Sequence, residues 1–161
     1  MRHLFVLGLL LAAAPALAND KETVNPSCRL EPEAECGWGE LRKVDAHGKD
    51  LHDSSFQAAR FDEANLESAD LSGSHLQLTN FTKANLKKAN LSFSHMHAVS
   101  LVGANLEGAN LDGVNFLDAN LTGANLKGAS VKRVIWTAAT LDGATWVDGR
   151  VCKPGSKGEC R

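Results

Sequence analysis

An apolar residue recurs at every fifth position of this chain from Leu51 to Val151, without interruption. Two positions before each of these residues lies a smaller side chain, most often alanine, as at Ala64, Ala84 and Ala104. Neither the 3.6-residue period of a helix nor the two-residue alternation of a strand produces this spacing. A chain that turns a corner every five residues does produce it, because each straight side then buries one large side chain. The pattern therefore predicts a solenoid with these residues inside.

The composition favours such a repeat over a conventional globular domain. Tyrosine is absent and aromatic residues make up 6% of the chain, so leucine and alanine supply most of the apolar content. The formal net charge is −2 and no basic cluster stands out, which argues against a nucleic acid partner. Glycine is frequent two positions after the central apolar residue, where a corner favours a residue without a Cβ.

The unit Ala-Asn-Leu, followed by two variable residues, recurs along the same stretch. Copies lie at 64–66, 84–86, 89–91, 104–106, 109–111, 119–121 and 124–126. They resemble the A-(D/N)-L-x-x unit of pentapeptide-repeat proteins, and the resemblance extends from Leu51 to Val151. It implies an all-β fold, a right-handed quadrilateral β-helix with four pentapeptides, hence twenty residues, in each coil. It implies no particular activity, because the family is functionally diverse.

Charged residues twenty positions apart agree with a twenty-residue coil. Glu67, Lys87, Glu107 and Lys127 would form one outward column in which the sign of the charge alternates. Opposite charges on neighbouring strands favour one register, and a coil of another length would destroy the alternation. A column on the same side contains only asparagine, at Asn65, Asn85, Asn105 and Asn125, which we expect to be structural.

Four cysteines flank the regular repeats, two on each side. An even number in an exported chain is typical of disulfides, and four cysteines allow three pairings. If the solenoid holds about five coils at ~4.8 Å each, its ends lie roughly 24 Å apart. A disulfide requires Cα atoms within about 7 Å, so only Cys28–Cys36 and Cys152–Cys160 remain possible. The same distance excludes a metal site built from all four cysteines.

The first residues are typical of an export signal. Arg2 precedes an apolar run from Leu4 to Leu11, and Ala16-Leu17-Ala18 has the small-x-small form of a signal-peptidase site. The run is too short for a permanent transmembrane helix, so no membrane span is expected after cleavage. We therefore expect residues 1–18 to be removed and the mature chain to reach a bacterial periplasm or the extracellular space.

The mature chain is expected to have three parts. Residues 19–49 would form an N-terminal cap with the Cys28–Cys36 loop, residues 50–151 the β-helix, and residues 152–161 a disulfide-closed tail. Caps are needed because the open ends of a solenoid would expose apolar interior and unpaired strand edges. Trp136 and Trp146 are large for a coil in the middle of the helix, so we expect them to close the C-terminal end.

One side of the expected coil differs from the other three. Its small inward positions contain no alanine: they are Ser54, Ser74, Ser94, Val114 and Val134. Exposed apolar surface often marks an interface, so we expect a protein partner on this side, with self-association there or at the Trp146 end as an alternative. Ile135 extends the apolar surface. The candidate binding face consists of His75, Gln77, Leu78, Phe93, His95, His97 and Leu117.

The histidines of this face leave a second interpretation open. Neighbouring strands would place His75 and His95 about 4.8 Å apart. Two imidazoles at that separation can share a zinc or copper ion, with His97 as a third ligand. No aspartate or glutamate lies in the adjoining columns to orient the rings, which weakens this interpretation. Otherwise no cofactor is expected.

The sequence gives no support for catalysis. No serine lies in a Gly-x-Ser-x-Gly elbow, and acidic residues alternate with lysines along the columns instead of pairing for acid–base work. No catalytic residue is therefore expected. One role known in the family that the chain resembles is mimicry of duplex DNA, in members that bind a bacterial topoisomerase. The export signal and the alternating charges of this chain do not fit that role. We expect a non-catalytic exported scaffold that presents a flat face to a protein partner.

Overall fold

The computed structural model describes residues 28–161, which wind into a right-handed four-sided β-helix. Parallel β-bridges connect residues twenty apart, from Glu35 with Ser55 to Asn125 with Thr145. Each side of a coil contributes one bridge residue, so the fold is all-β and built from single-residue bridges. The predicted export signal, residues 1–18, lies outside the described residues.

The four sides of the coil are lettered A to D in chain order, and the corner that follows each side takes the same letter. Side A carries the bridge residues Ser55, His75 and His95; side B carries Arg60, Asn80 and Ser100; side C carries Asn65, Asn85 and Asn105; side D carries Asp70, Asn90 and Asn110. The predicted twenty-residue register is confirmed, because every parallel bridge obeys it.

The corners are type II turns. At corner A the amide of Ala59 donates a hydrogen bond of 2.9 Å to the carbonyl of Phe56, and Ala58 between them has a φ of 57°. A positive φ at this position of a type II turn favours glycine, and Gly103 and Gly108 occupy it in later coils. The glycine frequency of the sequence follows from this geometry.

The five-residue series fills the interior as predicted. Leu66, Leu86 and Phe56 are completely buried, and the rings of Phe61 and Phe81 stack with centroids 5.2 Å apart. Burial of one such side chain stabilises the fold by about 1.5–3 kcal/mol. The stability of the β-helix therefore comes mainly from this axial column of apolar side chains.

Side A buries hydroxyl groups where the other sides bury mostly alanine. Ser54 Oγ accepts a hydrogen bond of 2.9 Å from the amide of Ala34, and Ser74 Oγ donates one of 3.0 Å to the carbonyl of Leu51. A buried hydroxyl without a partner would be costly. These bonds to the backbone of the preceding coil explain how side A accommodates serine inside.

The β-helix begins earlier than the sequence analysis places it. Its first parallel bridge is at Glu35, whereas the expected boundary is residue 50. Cys36, Leu41 and Ala46 continue the five-residue series and are buried like the members that follow them. The N-terminal cap is correspondingly shorter than residues 19–49.

The C-terminal tail folds back over part of the last coil. Thr145 pairs with Val151 and Thr140 pairs with Lys157, both in antiparallel orientation. The chain thus reverses direction after Trp146, and Val151 is 63% exposed although the five-residue series predicts it inside. The last parallel bridge is at Thr145, so the regular coils also end before the expected boundary at residue 151.

Two aromatic residues close the C-terminal end of the interior, as predicted. The ring of Trp136 stacks on that of Phe116 with centroids 5.1 Å apart and contacts the ring of Trp146 at 5.3 Å. Both tryptophans are partly exposed, because no complete coil lies above them. They cover the end of the apolar column.

Both predicted disulfides are present. The Cα atoms of Cys28 and Cys36 lie 5.0 Å apart, and those of Cys152 and Cys160 lie 4.9 Å apart. Each bond closes a short loop at one end of the β-helix, and such bonds are compatible with an oxidising compartment. Between residues 28 and 161 we find no helix with the length and apolar character that a bilayer crossing requires.

Candidate binding face

Side A brings two of the predicted histidines into contact. His75 and His95 are paired bridge residues on adjacent coils, and their ring centroids lie 5.2 Å apart with the planes tilted by 35°. Both side chains are exposed, whereas Gln77 and His97 in the next column are partly exposed. The two columns together form the centre of the candidate face.

Side A differs from its neighbours in charge. On three successive coils of side A, 54–58, 74–78 and 94–98, the only ionisable side chains are histidines, whereas the coils before and after them carry Glu35 and Asp118. The neighbouring sides B and D instead carry ion pairs, with Arg60 Nη2 3.2 Å from Asp62 Oδ1 on side B and Lys132 Nζ 3.9 Å from Asp112 Oδ2 on side D. These three coils of side A therefore offer a surface without permanent charge between two charged sides of the wall.

Side C satisfies its own polar groups. Asn85 Nδ2 donates a hydrogen bond of 3.2 Å to Asn65 Oδ1, and Asn125 Nδ2 donates one of 3.2 Å to Asn105 Oδ1. This ladder gives the asparagines the structural role that the sequence predicts. On side A, in contrast, Gln77 Oε1 is buried and accepts no hydrogen bond from the described residues.

Exposed apolar side chains border side A at both corners. Leu78 at corner A is 56% exposed, Phe93 at corner D is 58% exposed, and Ile135 on side A itself is 49% exposed. Leu117 is only partly exposed, so it adds less apolar surface than the sequence analysis expects. Apart from Ile135, the apolar surface is thus concentrated at the edges of the side.

Phe93 lies along the wall instead of projecting from it. A Cβ at residue 113 would fall 2.6 Å from Cδ1 of Phe93, so the ring occupies the space that Gly113 leaves. The Arg133 guanidinium lies over the same ring, 5.6 Å from its centroid. A cation above an aromatic face is attracted to it. Corner D therefore holds Phe93 in place from both sides.

Corner A carries an apolar ridge that the sequence analysis misses. Trp38, Ala58, Leu78 and Ala98 occupy this corner on four successive coils, with φ values of 62°, 57°, 61° and 53°. Trp38 is 75% exposed. Within residues 28–161 corner A contains no glycine, whereas each of the other corners contains at least two. We call these four residues the corner A ridge.

The sequence signal that places Trp38 at corner A is its distance along the chain from Ala58 and Leu78. It lies twenty residues before Ala58 and forty before Leu78. The sequence analysis assigns Trp38 to the N-terminal cap, because it begins the five-residue series only at Leu51. Once the first coil is known to begin near Glu35, Trp38 falls into the same column as Leu78.

The predicted metal ligands are only partly assembled. His75 and His95 meet, but between residues 28 and 161 no group of three His, Cys, Asp or Glu side chains is arranged to hold a metal ion. The histidine with a carboxylate partner lies on side D, where His52 Nδ1 is 2.6 Å from Asp50 Oδ1. That hydrogen bond raises the pKa of His52 above 6.5 and lowers the pKa of Asp50 below 3.8.

Comparison with known proteins agrees with this geometry. A family model of pentapeptide repeats matches residues 40–73, 59–97 and 100–135 as eight copies, which also supports the early start of the repeats. No curated protein sequence matches the chain.

The solved structures to which the chain is similar include three other pentapeptide repeat proteins. One is from the cyanobacterium Cyanothece 51142, with 25% identity, coverage of 70% of this chain and 90% of that one, and a TM-score of 0.47. HetL, involved in heterocyst differentiation regulation in Nostoc sp. strain PCC 7120, is 25% identical, with coverage of 74% and 64% and a TM-score of 0.28. A protein from the Arabidopsis thaliana thylakoid lumen is 29% identical, with coverage of 68% and 69% and a TM-score of 0.31. The chain belongs to the pentapeptide-repeat family.

Proposed function

We propose that this chain is an exported, non-catalytic scaffold that binds a protein partner through side A and the corner A ridge. The observation that carries the proposal is the exposed apolar surface of the ridge. Positive φ values occur at non-glycine residues of every corner, so backbone strain does not single out corner A. Corner A differs because four successive coils carry apolar residues there, of which Trp38 is 75% exposed and Leu78 is 56% exposed.

The spacing of the ridge suits protein recognition. Adjacent coils are ~4.8 Å apart, so the four residues span about 15 Å and Trp38 lies about 10 Å from Leu78. Ala58 and Ala98 leave shallow gaps beside these larger side chains. Tryptophan is enriched among the residues that dominate binding energy at interfaces. Trp38 and Leu78 would therefore act as two apolar anchors, with partner side chains inserted beside them.

Side A supplies the polar part of the same surface. His75, Gln77 and His97 present hydrogen-bonding groups without permanent charge, and an apolar core with polar surroundings is the usual anatomy of a protein interface. A nucleic acid partner would require clustered positive charge, which side A lacks. DNA mimicry would require continuous negative charge, whereas Lys87 pairs with Glu107 on side C.

Export is part of the proposal. Arg2, the apolar run from Leu4 to Leu11 and the sequence Ala16-Leu17-Ala18 support a cleaved signal. The disulfide at each end supports an oxidising destination, because such bonds are rare in reducing cytosol. We place the mature chain in a bacterial periplasm or outside the cell.

Photo-crosslinking in producing cells tests the binding face. The probe replaces Leu78 at corner A or, as a matched control, Lys88 at corner C, because both are exposed corner residues with φ of 61° and 56°. The proposal predicts a discrete protein adduct from position 78 and none from position 88. No adduct from position 78, or the same adduct from both positions, would contradict it.

Metal binding through His75 and His95 is a second candidate function. Their contact, with centroids 5.2 Å apart, favours it, and His97 or a partner side chain would have to complete the ligand set. Calorimetric titration with zinc or copper tests it. Binding that disappears in His95→Ala and persists in the control His47→Ala would support the site, and no binding to the unchanged protein would exclude it.

A further inference from the structure

The C-terminal end of the β-helix has the shape of a step. The tail pairs with sides B and C of the last coil, where Leu141 donates a backbone hydrogen bond of 2.8 Å to Ser156 and Cys152 donates one of 2.8 Å to Ala144. Sides D and A of that coil, residues 131–138, have no such cover within the described part of the chain. Half of the end is therefore raised by the tail and half is open.

The open half presents unpaired backbone donors. In the preceding coil, the amides of residues 111, 113, 116 and 118 donate hydrogen bonds to backbone carbonyls of the coil that follows in sequence. The equivalent amides of Val131, Arg133, Trp136 and Ala138 have no backbone acceptor among residues 28–161. A row of unpaired strand groups is a template for pairing with another chain. The tail has free groups as well, since the backbones of Val151 and Lys157 make no backbone hydrogen bond within the same range.

Both halves of the end also expose apolar side chains. Val131, Val134 and Trp136 occupy inward positions, yet each is partly exposed because no further coil covers them. On the raised half Val151 is 63% exposed. An end with apolar side chains and unpaired strand groups favours contact with another protein surface.

We propose that a second copy of this chain docks on this end about a two-fold axis perpendicular to the β-helix. Such an axis places the raised half of each copy over the open half of the other, so that one layer of tail fills each gap. Side D of one copy then faces the tail over side C of its partner, which brings Val131 of one copy near Val151 of the other. An isologous contact of this kind closes at two copies.

A head-to-tail contact is the competing arrangement. The bridge positions of the first coil are all acidic: Glu35, Glu40, Asp45 and Asp50. They would attract the basic residues Lys132 and Arg133 at the opposite end. The step disfavours this contact, because a first coil resting on the raised half leaves a gap of about one strand spacing, ~4.8 Å, over side A. Head-to-tail contacts also do not close, so they would grow with concentration.

Analytical ultracentrifugation of residues 19–161 tests the proposal. The expected result is a monomer–dimer equilibrium with a dissociation constant on the order of 10 μM, because the end of the β-helix is small for an interface. Val131→Lys and Val151→Glu should each weaken the homodimer by about tenfold or more. An equimolar mixture of the two variants should dimerise again, since the new lysine and glutamate then face each other across one of the two contacts.

Leu78→Lys is the control and should leave the dimer unchanged. Failure of this proposal is therefore distinguishable from failure of partner binding at corner A. Circular dichroism checks that Val131→Lys retains the fold, and the exposed Val151 provides an independent variant. A protein that stays monomeric up to about 1 mM, that grows beyond two copies, or whose mixed variants remain monomeric would overturn the proposal.

Discussion

The ring of Phe93 occupies the space in which a side chain at Gly113 would lie. A Cβ at residue 113 would come within 2.6 Å of the ring, and the Arg133 guanidinium, two coils after Phe93, covers the ring. Phe93 is thus part of the wall, although more than half of its surface is exposed. Among residues 28–161 no ring stacking or cation contact holds Trp38 at corner A. Trp38 is 75% exposed and Leu78 is 56% exposed, which makes them the better anchors for a partner.

Gly113→Ala should destabilise the fold more than Gly123→Ala. Both glycines have a positive φ, of 75° and 67°, but a Cβ at residue 123 meets nothing within 4 Å. The control should lose about 1 kcal/mol through backbone strain alone, and Gly113→Ala should lose about 1 kcal/mol more through displacement of Phe93. Denaturant unfolding measures both values. Equal losses of stability in the two variants would show that displacement of Phe93 does not destabilise the fold.

Leu78→Gly should separate stability from binding. Glycine relieves the left-handed strain of corner A but loses more conformational entropy on folding, so the free energy of unfolding should change by less than about 1 kcal/mol. Binding of the partner captured at position 78 should nevertheless be lost, whereas the control Lys88→Gly should retain it. A loss of stability above about 2 kcal/mol in Leu78→Gly would mean that the leucine is structural.

Leu86→Asp should unfold the central coils. Leu86 is completely buried, and its replacement would place a carboxyl group in the apolar column without a partner. We expect a loss of at least about 3 kcal/mol, seen in circular dichroism and in the melting temperature. The exposed Lys88 lies two residues away, and Lys88→Asp should have little effect. An unchanged melt of Leu86→Asp would contradict the interior assignment.

The Asp50–His52 pair should contribute stability in a limited pH window. The hydrogen bond to Asp50 raises the pKa of His52, so its contribution is fully present below the ordinary value of 6.5 and is lost as the pH rises through the raised value. The hydrogen bond to His52 lowers the pKa of Asp50, so its contribution is present above 3.8 and is lost as the pH falls through the lowered value. The difference in melting temperature between the unchanged protein and His52→Gln should therefore be largest between those two pH values. A difference that does not vary with pH would contradict the pairing.

Reduction of the disulfides should lower stability at both ends. Each closes a loop of sequence separation 8, and loss of a short-loop disulfide should cost about 2–3 kcal/mol. Unfolding with and without reductant measures the sum, and Cys152→Ser with Cys160→Ser isolates the C-terminal contribution. Four free thiols in the untreated protein would contradict both the pairing and the proposed oxidising compartment.

The coil register and the interior could be predicted because they depend on short-range periodicity. Leu66 and Leu86 follow a five-residue spacing, and Glu67 and Lys87 reveal the twenty-residue coil by their opposite charges. The disulfide pairing followed from the length of the coil stack. These features need no knowledge of how distant segments meet.

The ends and the ridge depend on information that the repeat motif does not contain. The first coil lacks Ala-Asn-Leu units, so the spacing that places Trp38 in the column of Leu78 could be interpreted only once the bridge at Glu35 showed that the coil begins there. The reversal after Trp146 is set by pairing of the tail with the last coil, while Val151 keeps the five-residue spacing by sequence alone. The contact of His75 with His95 was predictable because both belong to regular coils.

The central claim is tested most directly by measuring how tightly the partner captured at position 78 binds variants of the ridge. If Trp38 and Leu78 anchor the same partner, Trp38→Ala and Leu78→Ala should each weaken binding by about tenfold or more, and Lys88→Ala at corner C should change it less than about twofold. If Trp38→Ala binds as tightly as the unchanged protein, the ridge is not the binding surface and the proposed function is wrong.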